Sequence, residues 1–473
     1  MDSPTRPLIP LAVSLYSAST RWGYRFRVLP VFDDAFAVGV ARRKRTMLVD
    51  AVTRSHELFT DPEMDAQLVA YACERATAAD ATPEQLSSWD VVPGDRRASA
   101  DDELLESAQT AVEPAEDLAA ARRDFAARCP LVAHLDPSAV RFRYALLATF
   151  NEWMAAAIKL VDTYAVDHPW TRGNTLGRLC TVLWHDTKRT LLRTTVEFTD
   201  TGHSALTVVL DRHRAADPKA ARDTLFVQAF RQIGRYTASL FRRSDQAFMV
   251  KLKAEGAEDA GGPYRECISQ MAAELHAGGS SPLCLFLACP NAQSNVGVNR
   301  DRFLPNPLAR SPEDLLMFEF IGRLMGCAMR TSNPFVLSLP SLVWKVLVGE
   351  PRTRADLEDV DKQLCQSLDF IEQIEAAGVT DEAAFAETIE QSFVVTTVDR
   401  REVELFPGGA QQSVTFANRA SFLRHVEWFR LHEMDEQIAA MHRGLASVIP
   451  QRVLPLLTWQ DLELAVCGRP DFD

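Results

Sequence analysis

The residue patterns that most often carry catalysis or bind metals occur here only in incomplete form. His432 is followed by Glu433 and then by Glu436, so the second histidine of a zinc-binding HExxH helix is missing. Cys284 and Cys289 form one pair with no second pair nearby, which favours two residues of a buried strand over a zinc site. Neither a GxxxxGKS/T phosphate loop nor a GxSxG nucleophile turn is present. Local motifs therefore predict no catalytic residue, no metal ligand and no cofactor.

The cysteine content predicts a reducing compartment. Nine cysteines are scattered along the chain, mostly among apolar residues, and an odd number without clustered spacing is typical of free thiols. Residues 8–16 are apolar, but only Arg6 supplies the positive charge that a signal peptide needs. No apolar run approaches the roughly 18 residues of a membrane span. We therefore predict a cytoplasmic protein that is not inserted in a membrane.

Length and charge limit the possible function classes further. The chain has 473 residues, of which 47% are hydrophobic and 24% charged, as in ordinary globular proteins. This length suggests about three folding units. The 51 basic and 64 acidic residues give a net charge of −13, which repels phosphate backbones and disfavours a nucleic-acid partner.

The first half of the chain divides into three parts by composition. Residues 21–28 alternate bulky and basic side chains, which predicts a strand and makes residues 1–75 the tail of an upstream domain. Residues 76–117 are acidic and rich in Ala, Ser and Pro, which predicts a flexible linker or, less strongly, an acidic docking tail for a basic partner. Residues 118–247 are predicted to be helical, with a short strand at 207–210.

The second half carries clear start signals for strands and helices. Alternation predicts a strand at 248–252, and Pro263 fits the first turn of a helix. Ser311 caps a helix in which Gly322 and Gly326, one turn apart, permit close backbone packing.

Four further elements are predicted towards the end of the chain. Residues 353–376 and 419–447 are each predicted to form one long helix. Residues 393–416 carry short strand-like runs, and Thr458 caps a last helix that ends at Gly468.

Nine blocks of sequence, taken together, are far more specific than any single motif. They are Asp259–Glu266, Asn299–Phe303, Asn306-Pro307, Phe318–Gly326, Leu337–Pro340 with Trp344-Lys345, Gln366–Leu368, Pro407–Gly409, Asn418-Arg419, and Leu462-Glu463 with Cys467-Gly468. In this order and spacing they resemble the N-terminal lobe of HECT-type ubiquitin ligases, and most closely the very large HECT ligases with RCC-type repeats upstream. The resemblance is dense over 248–473 and thinner over 141–247.

The resemblance implies an α+β, predominantly helical fold. Residues 248–473 would form a HECT N-lobe with a small docking subdomain inserted near 352–430. The helical region 118–247 would precede it.

The resemblance also implies partners and a reaction. A ubiquitin-conjugating enzyme docks on the small subdomain, and ubiquitin passes from its thioester to a cysteine in a following C-lobe and then to a lysine of a protein substrate that the sequence does not identify. This chain stops at Asp473, before that lobe, and Cys467 matches a structural position. We therefore expect no catalytic residue here. Three interpretations stay open: a fragment of a HECT-type ligase, a non-catalytic adaptor that binds the conjugating enzyme, or a helical scaffold without a role in ubiquitination.

Four residues are candidates for the docking groove. The family's groove is apolar and is lined by the helix that contains Gln366–Leu368 and by the aromatic residue after Asn418-Arg419. By position this implies Leu364, Leu368 and Phe422, with the less well aligned Ile389 as a fourth member. The alternative for Leu364 and Leu368, which lie one turn apart, is that they belong to an ordinary hydrophobic core.

Overall fold

The computed structural model describes most of the chain from residue 62 onward. The described ranges are 62–79, 88–93, 118–157, 181–217, 223–253, 262–276, 283–450 and 453–468, with isolated positions at 81, 83 and 86. They form two compact units that divide in the sequence between Thr195 and Val196. The strand predicted at 21–28, the predicted linker beyond residue 93 and Cys180 lie outside the described residues.

The first unit is helical in its described part. Its helices are α1 (Pro62–Ala78), α2 (Ser88–Val91), α3 (Leu118–Arg128), α4 (Pro137–Ala157) and most of α5 (His185–Phe198), which runs through the boundary. A buried ion pair joins α4 to α1, with Arg143 Nη2 lying 2.5 Å from Asp65 Oδ2. Inside the predicted linker, α2 is a helical turn in which Val91 is buried, so this short stretch packs as part of the unit.

The second unit begins with a β-α-β arrangement. Strands β1 (Leu206–Leu210) and β2 (Phe248–Leu252) pair in parallel, with Leu206 opposite Phe248, and helices α6 (Arg212–Ala215) and α7 (Leu225–Ile233) lie between them in the sequence. Both predicted strands are confirmed, and residues on either side of the predicted 247/248 domain boundary share one sheet. Within the region predicted to be helical, α7 ends at Gly234 and a separate 3-10 turn (Ala238–Phe241) follows.

Side chains of α7 cover the free edge of β1. Gln232 accepts a hydrogen bond from Val209 N through Oε1 and donates to Val209 O through Nε2. In the same way, Gln228 accepts a hydrogen bond from Asp211 N through Oε1 and donates to Asp211 O through Nε2. An unpaired strand edge exposes backbone donors and acceptors, and these two glutamines, one helical turn apart, satisfy them.

A short hairpin follows helix α8 (Gly262–Leu275). Strands β3 (Phe286–Ala288) and β4 (Phe303–Pro305) are antiparallel, and helix α9 (Pro290–Ser294) begins directly after β3. The prediction that Cys284 and Cys289 both belong to a buried strand is wrong, because β3 spans only Phe286–Ala288 and leaves out both cysteines. Cys284 precedes β3, is exposed and has a φ of 50°, whereas Cys289 is fully buried at the start of α9.

The centre of the unit is a close pair of long helices, α10 (Pro312–Thr331) and α16 (Asp435–Val448). Ser311 caps α10 through a complete capping box with Asp314, as predicted. A Cβ on Gly322 would lie 1.9 Å from Met441 O, and a Cβ on Gly326 would lie 2.6 Å from Val448 Cβ. The predicted role of these two glycines in close backbone packing is confirmed.

Two further helices pack beside this pair. They are α11 (Ser341–Val348) and α17 (Trp459–Cys467), which follows a 3-10 turn (Leu454–Leu456). As predicted, Thr458 caps α17 and the helix ends at Gly468, whose φ is 76°.

The segment between α11 and α16 forms a small subdomain, defined here as residues 362–432. It comprises α13 (Lys362–Glu372), a 3-10 turn (Ile374–Ala377), α14 (Glu382–Thr388), the antiparallel strands β5 (Val394–Thr396) and β6 (Glu402–Glu404), a 3-10 turn (Gly409–Gln411) and α15 (Arg419–His432). The short helix α12 (Arg354–Glu358) leads into it. Taken together, the described elements confirm an α+β, predominantly helical fold.

Two predicted long helices are wrong in their continuity. The helix predicted over 353–376 is divided into α12 and α13, because Asp361 turns its carboxylate onto Leu364 N and starts a new helix. The helix predicted over 419–447 is divided into α15 and α16 at Glu433. The Glu433 carboxylate is buried, where it receives hydrogen bonds from Arg430 and from Val398 N.

Candidate docking site

The four predicted docking residues converge on one hydrophobic core in the small subdomain. Leu368 and Phe422 belong to this core and are only 2% and 4% exposed. Leu364 and Ile389 pack against it and stay partly exposed. In the isolated chain, only Leu364 and Ile389 of the four therefore offer surface to a partner.

Aromatic rings hold this core together. Phe422 of α15 meets Phe393 edge-to-face, with ring centroids 5.6 Å apart, and Phe393 also contacts Phe406 at 5.2 Å. Such pairs add about 0.5–1.5 kcal/mol beyond the area they bury. Gly409 approaches Phe393 O so closely that a Cβ would lie 2.6 Å away, which explains the glycine in the Pro407–Gly409 block.

Several apolar residues near the core were not predicted from the sequence. Leu405, Phe406, Phe416 and Phe429 pack partly buried against it. Two larger apolar side chains of the subdomain are open to solvent, Phe370 at 49% and Trp428 at 64% exposure. The Trp428 indole stacks on the His432 ring at a centroid distance of 4.6 Å. The spacing of four residues between Trp428 and His432 on one helix was the available signal.

Charged side chains border the apolar surface. Arg419 lies over the Phe416 ring, 3.9 Å from its centroid, and pairs with Glu375. Arg354 links α13 and α15 by pairing with Asp369 at 2.6 Å and with Glu427. These ion pairs connect elements of the small subdomain to each other and to α12.

Five cysteines in the described part of the chain are poor nucleophiles, because burial raises the pKa of their thiols. Burial raises the pKa of the Cys365 and Cys467 thiols to about 11, and that of Cys129, Cys289 and Cys327 to about 12. At neutral pH these groups stay as thiols, and the thiolate is the reactive form. Cys467 Sγ instead receives a hydrogen bond from Leu337 N at 3.4 Å, in a structural position.

Two further classes of site find no support within the described residues, metal centres and membrane-spanning helices. Within these ranges, no group of three or more His, Cys, Asp or Glu side chains could hold a metal ion. No helix in the described part of the chain has the length and apolar character needed to cross a bilayer.

Comparison with known protein families identifies the region that contains this site. Residues 281–473 match the model of the HECT-domain (ubiquitin-transferase) family. These residues belong to the HECT-domain family. The small subdomain and its surface therefore lie inside a HECT domain, and the family membership predicted from the nine sequence blocks is confirmed.

Individual relatives agree with this assignment. The chain is 36% identical over 248 residues to the mouse E3 ubiquitin-protein ligase HERC2, an alignment that covers 52% of this chain and 5% of that protein. It is 38% identical over 226 residues to human HERC2, covering 48% and 4%. It is 28% identical over 368 residues to the human probable E3 ubiquitin-protein ligase HECTD4, covering 70% and 9%. The chain thus spans less than a tenth of the length of these relatives.

Proposed function

We propose that this chain is part of a HECT-type ubiquitin-protein ligase and that its small subdomain docks a ubiquitin-conjugating enzyme. The observation that carries the proposal is the HECT-family match over residues 281–473, which includes the whole small subdomain. The relatives are named as E3 ubiquitin-protein ligases, and the same activity is proposed here. A scaffold without a role in ubiquitination finds no support in these comparisons.

The exposed apolar side chains of the small subdomain support the docking step. Leu364 and Ile389 are partly open to solvent and rest on a rigid aromatic core, which holds them in place at little entropic cost when a partner binds. A few anchors of this kind supply most of the affinity of an interface. Ubiquitin would then pass from the conjugating enzyme to a cysteine of the ligase and on to a protein substrate.

Binding measurements on single variants test the docking surface. We expect Leu364→Ser and Ile389→Ser to weaken the binding of a ubiquitin-conjugating enzyme by ~5- to 150-fold, equivalent to about 1–3 kcal/mol, with little change in melting temperature. The measurement is biolayer interferometry of the full chain against a panel of conjugating enzymes, paired with thermal unfolding of each variant.

A control variant separates docking from general surface effects. Val336→Ser changes an exposed apolar residue (54% exposed) outside the small subdomain and is expected to leave the affinity unchanged. If no conjugating enzyme of the panel binds the wild-type chain, or if Val336→Ser weakens binding as much as Leu364→Ser, the proposed docking site is wrong.

A further inference from the structure

The small subdomain joins the rest of the second unit through two chain connections. The incoming connection is residues 349–361, between α11 and α13, and it contains α12. The outgoing connection is the break between α15 and α16 at Glu433 and Met434. Two single connections, without further restraint, would allow the small subdomain to rotate as a body.

Arg352 ties the incoming connection to both ends of the outgoing one. Its Nη1 donates to the carbonyl oxygen of Leu431, in the last turn of α15, and lies 2.5 Å from Asp435 Oδ1, in the first turn of α16. Carbonyls in the last turn of a helix lack partners within the helix. The guanidinium therefore satisfies the end of one helix while pairing with an acid at the start of the next, and it fixes the angle between the two.

Two buried polar groups hold the incoming connection from other directions. Arg430 Nη1 donates to Asp361 Oδ2 at 2.9 Å and to Thr396 O at 3.0 Å. Asn291, which is fully buried in α9, donates through Nδ2 to Asp359 O at 3.0 Å and accepts from Lys362 N at 2.7 Å. The C-terminal end of the incoming connection is therefore anchored to α9 and to α15, and Arg352, near its N-terminal end, reaches both helices at the outgoing break.

We propose that Arg352 is a positioning residue that locks the angle between α15 and α16 and thereby sets the orientation of the small subdomain. This proposal rests on the proposed function in one respect: the fixed orientation of the small subdomain would aim a docked conjugating enzyme at the ligase cysteine. The hydrogen-bond partners of Arg352, Leu431 and Asp435, belong neither to the hydrophobic core of the small subdomain nor to the partly exposed pair Leu364 and Ile389. Its loss should change orientation while leaving the docking surface intact.

Arg354 provides a matched control two residues away. Like Arg352 it is an arginine of the incoming connection with acidic and carbonyl partners, but its three partners, Asp369, Glu427 and the carbonyl oxygen of Cys365, all lie in the small subdomain. Removing Arg354 breaks ion pairs of similar geometry without releasing the α15–α16 angle. A general loss of surface ion pairs would affect both variants alike.

Distance measurements by double electron–electron resonance on the full chain test the proposal. One spin label is placed at Ala386 on α14 and the other at Glu313 on α10, both exposed, through ketone-bearing unnatural residues so that the native cysteines remain. We expect Arg352→Ala to widen the distribution of distances between the labels roughly twofold, as for a released hinge, and Arg354→Ala to leave it at the wild-type width. Affinity for a conjugating enzyme, measured on the same proteins, is expected to be unchanged by Arg352→Ala.

The outcomes separate this proposal from the docking proposal. An unchanged distribution in Arg352→Ala, or an equal widening in Arg354→Ala, overturns the positioning role, and neither result depends on a conjugating enzyme. Loss of affinity together with an unchanged distribution also overturns it. If Arg352→Ala does not fold, Asp435→Ala removes one side of the same bridge, keeps the bond to Leu431, and is judged by the same widening.

Discussion

Gly444 of α16 lies directly against the backbone of Glu319 of α10, and a Cβ on Gly444 would stand 1.8 Å from the Glu319 carbonyl oxygen. The contact is reciprocal, since Gly322 of α10 faces Met441 O in the same way at 1.9 Å. Two helices can approach this closely only where neither carries a side chain. The α10–α16 pair is therefore fixed by glycines on both sides.

The Gly444–Glu319 contact predicts a large loss of stability on adding one methyl group. Gly444→Ala must push the two backbones apart, because the obstructing atom is a carbonyl oxygen that cannot rotate away. We expect a loss on the order of 3 kcal/mol in the free energy of unfolding, measured by urea denaturation. Gly262→Ala, at a helix position with nothing within 4 Å of the added Cβ, is the control and should be neutral or stabilising. Equal losses in both variants would contradict this account.

Arg430 predicts a second large effect, of electrostatic origin. Its guanidinium is 3% exposed and neutralises two acids, Asp361 and Glu433, which lie 2.9 and 2.7 Å away. Arg430→Met leaves both carboxylates largely buried without their partner, and we expect a loss of about 3–5 kcal/mol in urea unfolding.

Two further variants test the origin of the Arg430 effect. Arg401→Met removes a half-exposed arginine from Asp399, whose carboxylate is 5% exposed but keeps its hydrogen bond from Thr397 Oγ1, and it is expected to cost no more than about 1 kcal/mol. Adding Asp361→Asn and Glu433→Gln to Arg430→Met should recover part of the loss, because the uncompensated charges are then removed. No recovery would show that packing, and not charge, dominates at Arg430.

His276 predicts a loss of stability in mild acid. Its ring lies between Phe286 and Phe303, with centroids 5.6 and 5.2 Å away, and its buried Nε2 has no hydrogen-bond partner among the described residues. Burial, with a smaller contribution from Arg302, lowers the pKa of His276 from 6.5 to about 4. The folded state thus favours the neutral ring. The resulting stability is fully present above pH 6.5 and is lost as the pH falls towards 4.

The measurement is the free energy of unfolding at pH 7.5 and at pH 5. Because the pKa of His276 is lowered, we expect the free energy of unfolding to fall by about 2 kcal/mol more in the wild type than in His276→Phe when the pH is lowered from 7.5 to 5. His203→Phe, which replaces an exposed histidine, should keep the wild-type pH dependence. A wild-type dependence in His276→Phe would show that other groups control acid stability.

Cysteine reactivity should follow burial. At pH 7.5 iodoacetamide is expected to alkylate the exposed Cys284 well before Cys327 and Cys467, whose thiols are held protonated by burial. For the same reason we expect no ubiquitin thioester with a charged conjugating enzyme on any of the five cysteines whose thiol pKa is raised, which are Cys129, Cys289, Cys327, Cys365 and Cys467. Peptide mass spectrometry over a time course gives the rates. Alkylation of Cys467 as fast as that of Cys284, or a reductant-sensitive ubiquitin adduct on Cys467, would contradict the prediction.

The sequence by itself determined the local elements and the family. The Ser311 and Thr458 caps, the short strand at 207–210, the alternating strand at 248–252 and the stop at Gly468 are local signals, and each was correct. Order and spacing of motifs sufficed for the HECT family, because the blocks are specific together even where none is specific alone. The spacing of Gly322 and Gly326 predicted a close contact with another helix, but it did not identify α16 as that helix.

Only the tertiary structure decided where helices stop and which apolar residues are exposed. The breaks at Asp361 and Glu433 depend on Arg430, which approaches both acids in space and is separated from Asp361 by 69 residues. Helical periodicity continues through both positions, so a sequence pattern alone predicts uninterrupted helices. Leu364 and Leu368 have the same chemistry and lie on one helix face, yet one is partly exposed and the other 2% exposed. Leu368 belongs to the core that also contains Phe393 and Phe422, whereas Leu364 packs against that core from outside, and the difference arises from contacts between residues distant in the chain.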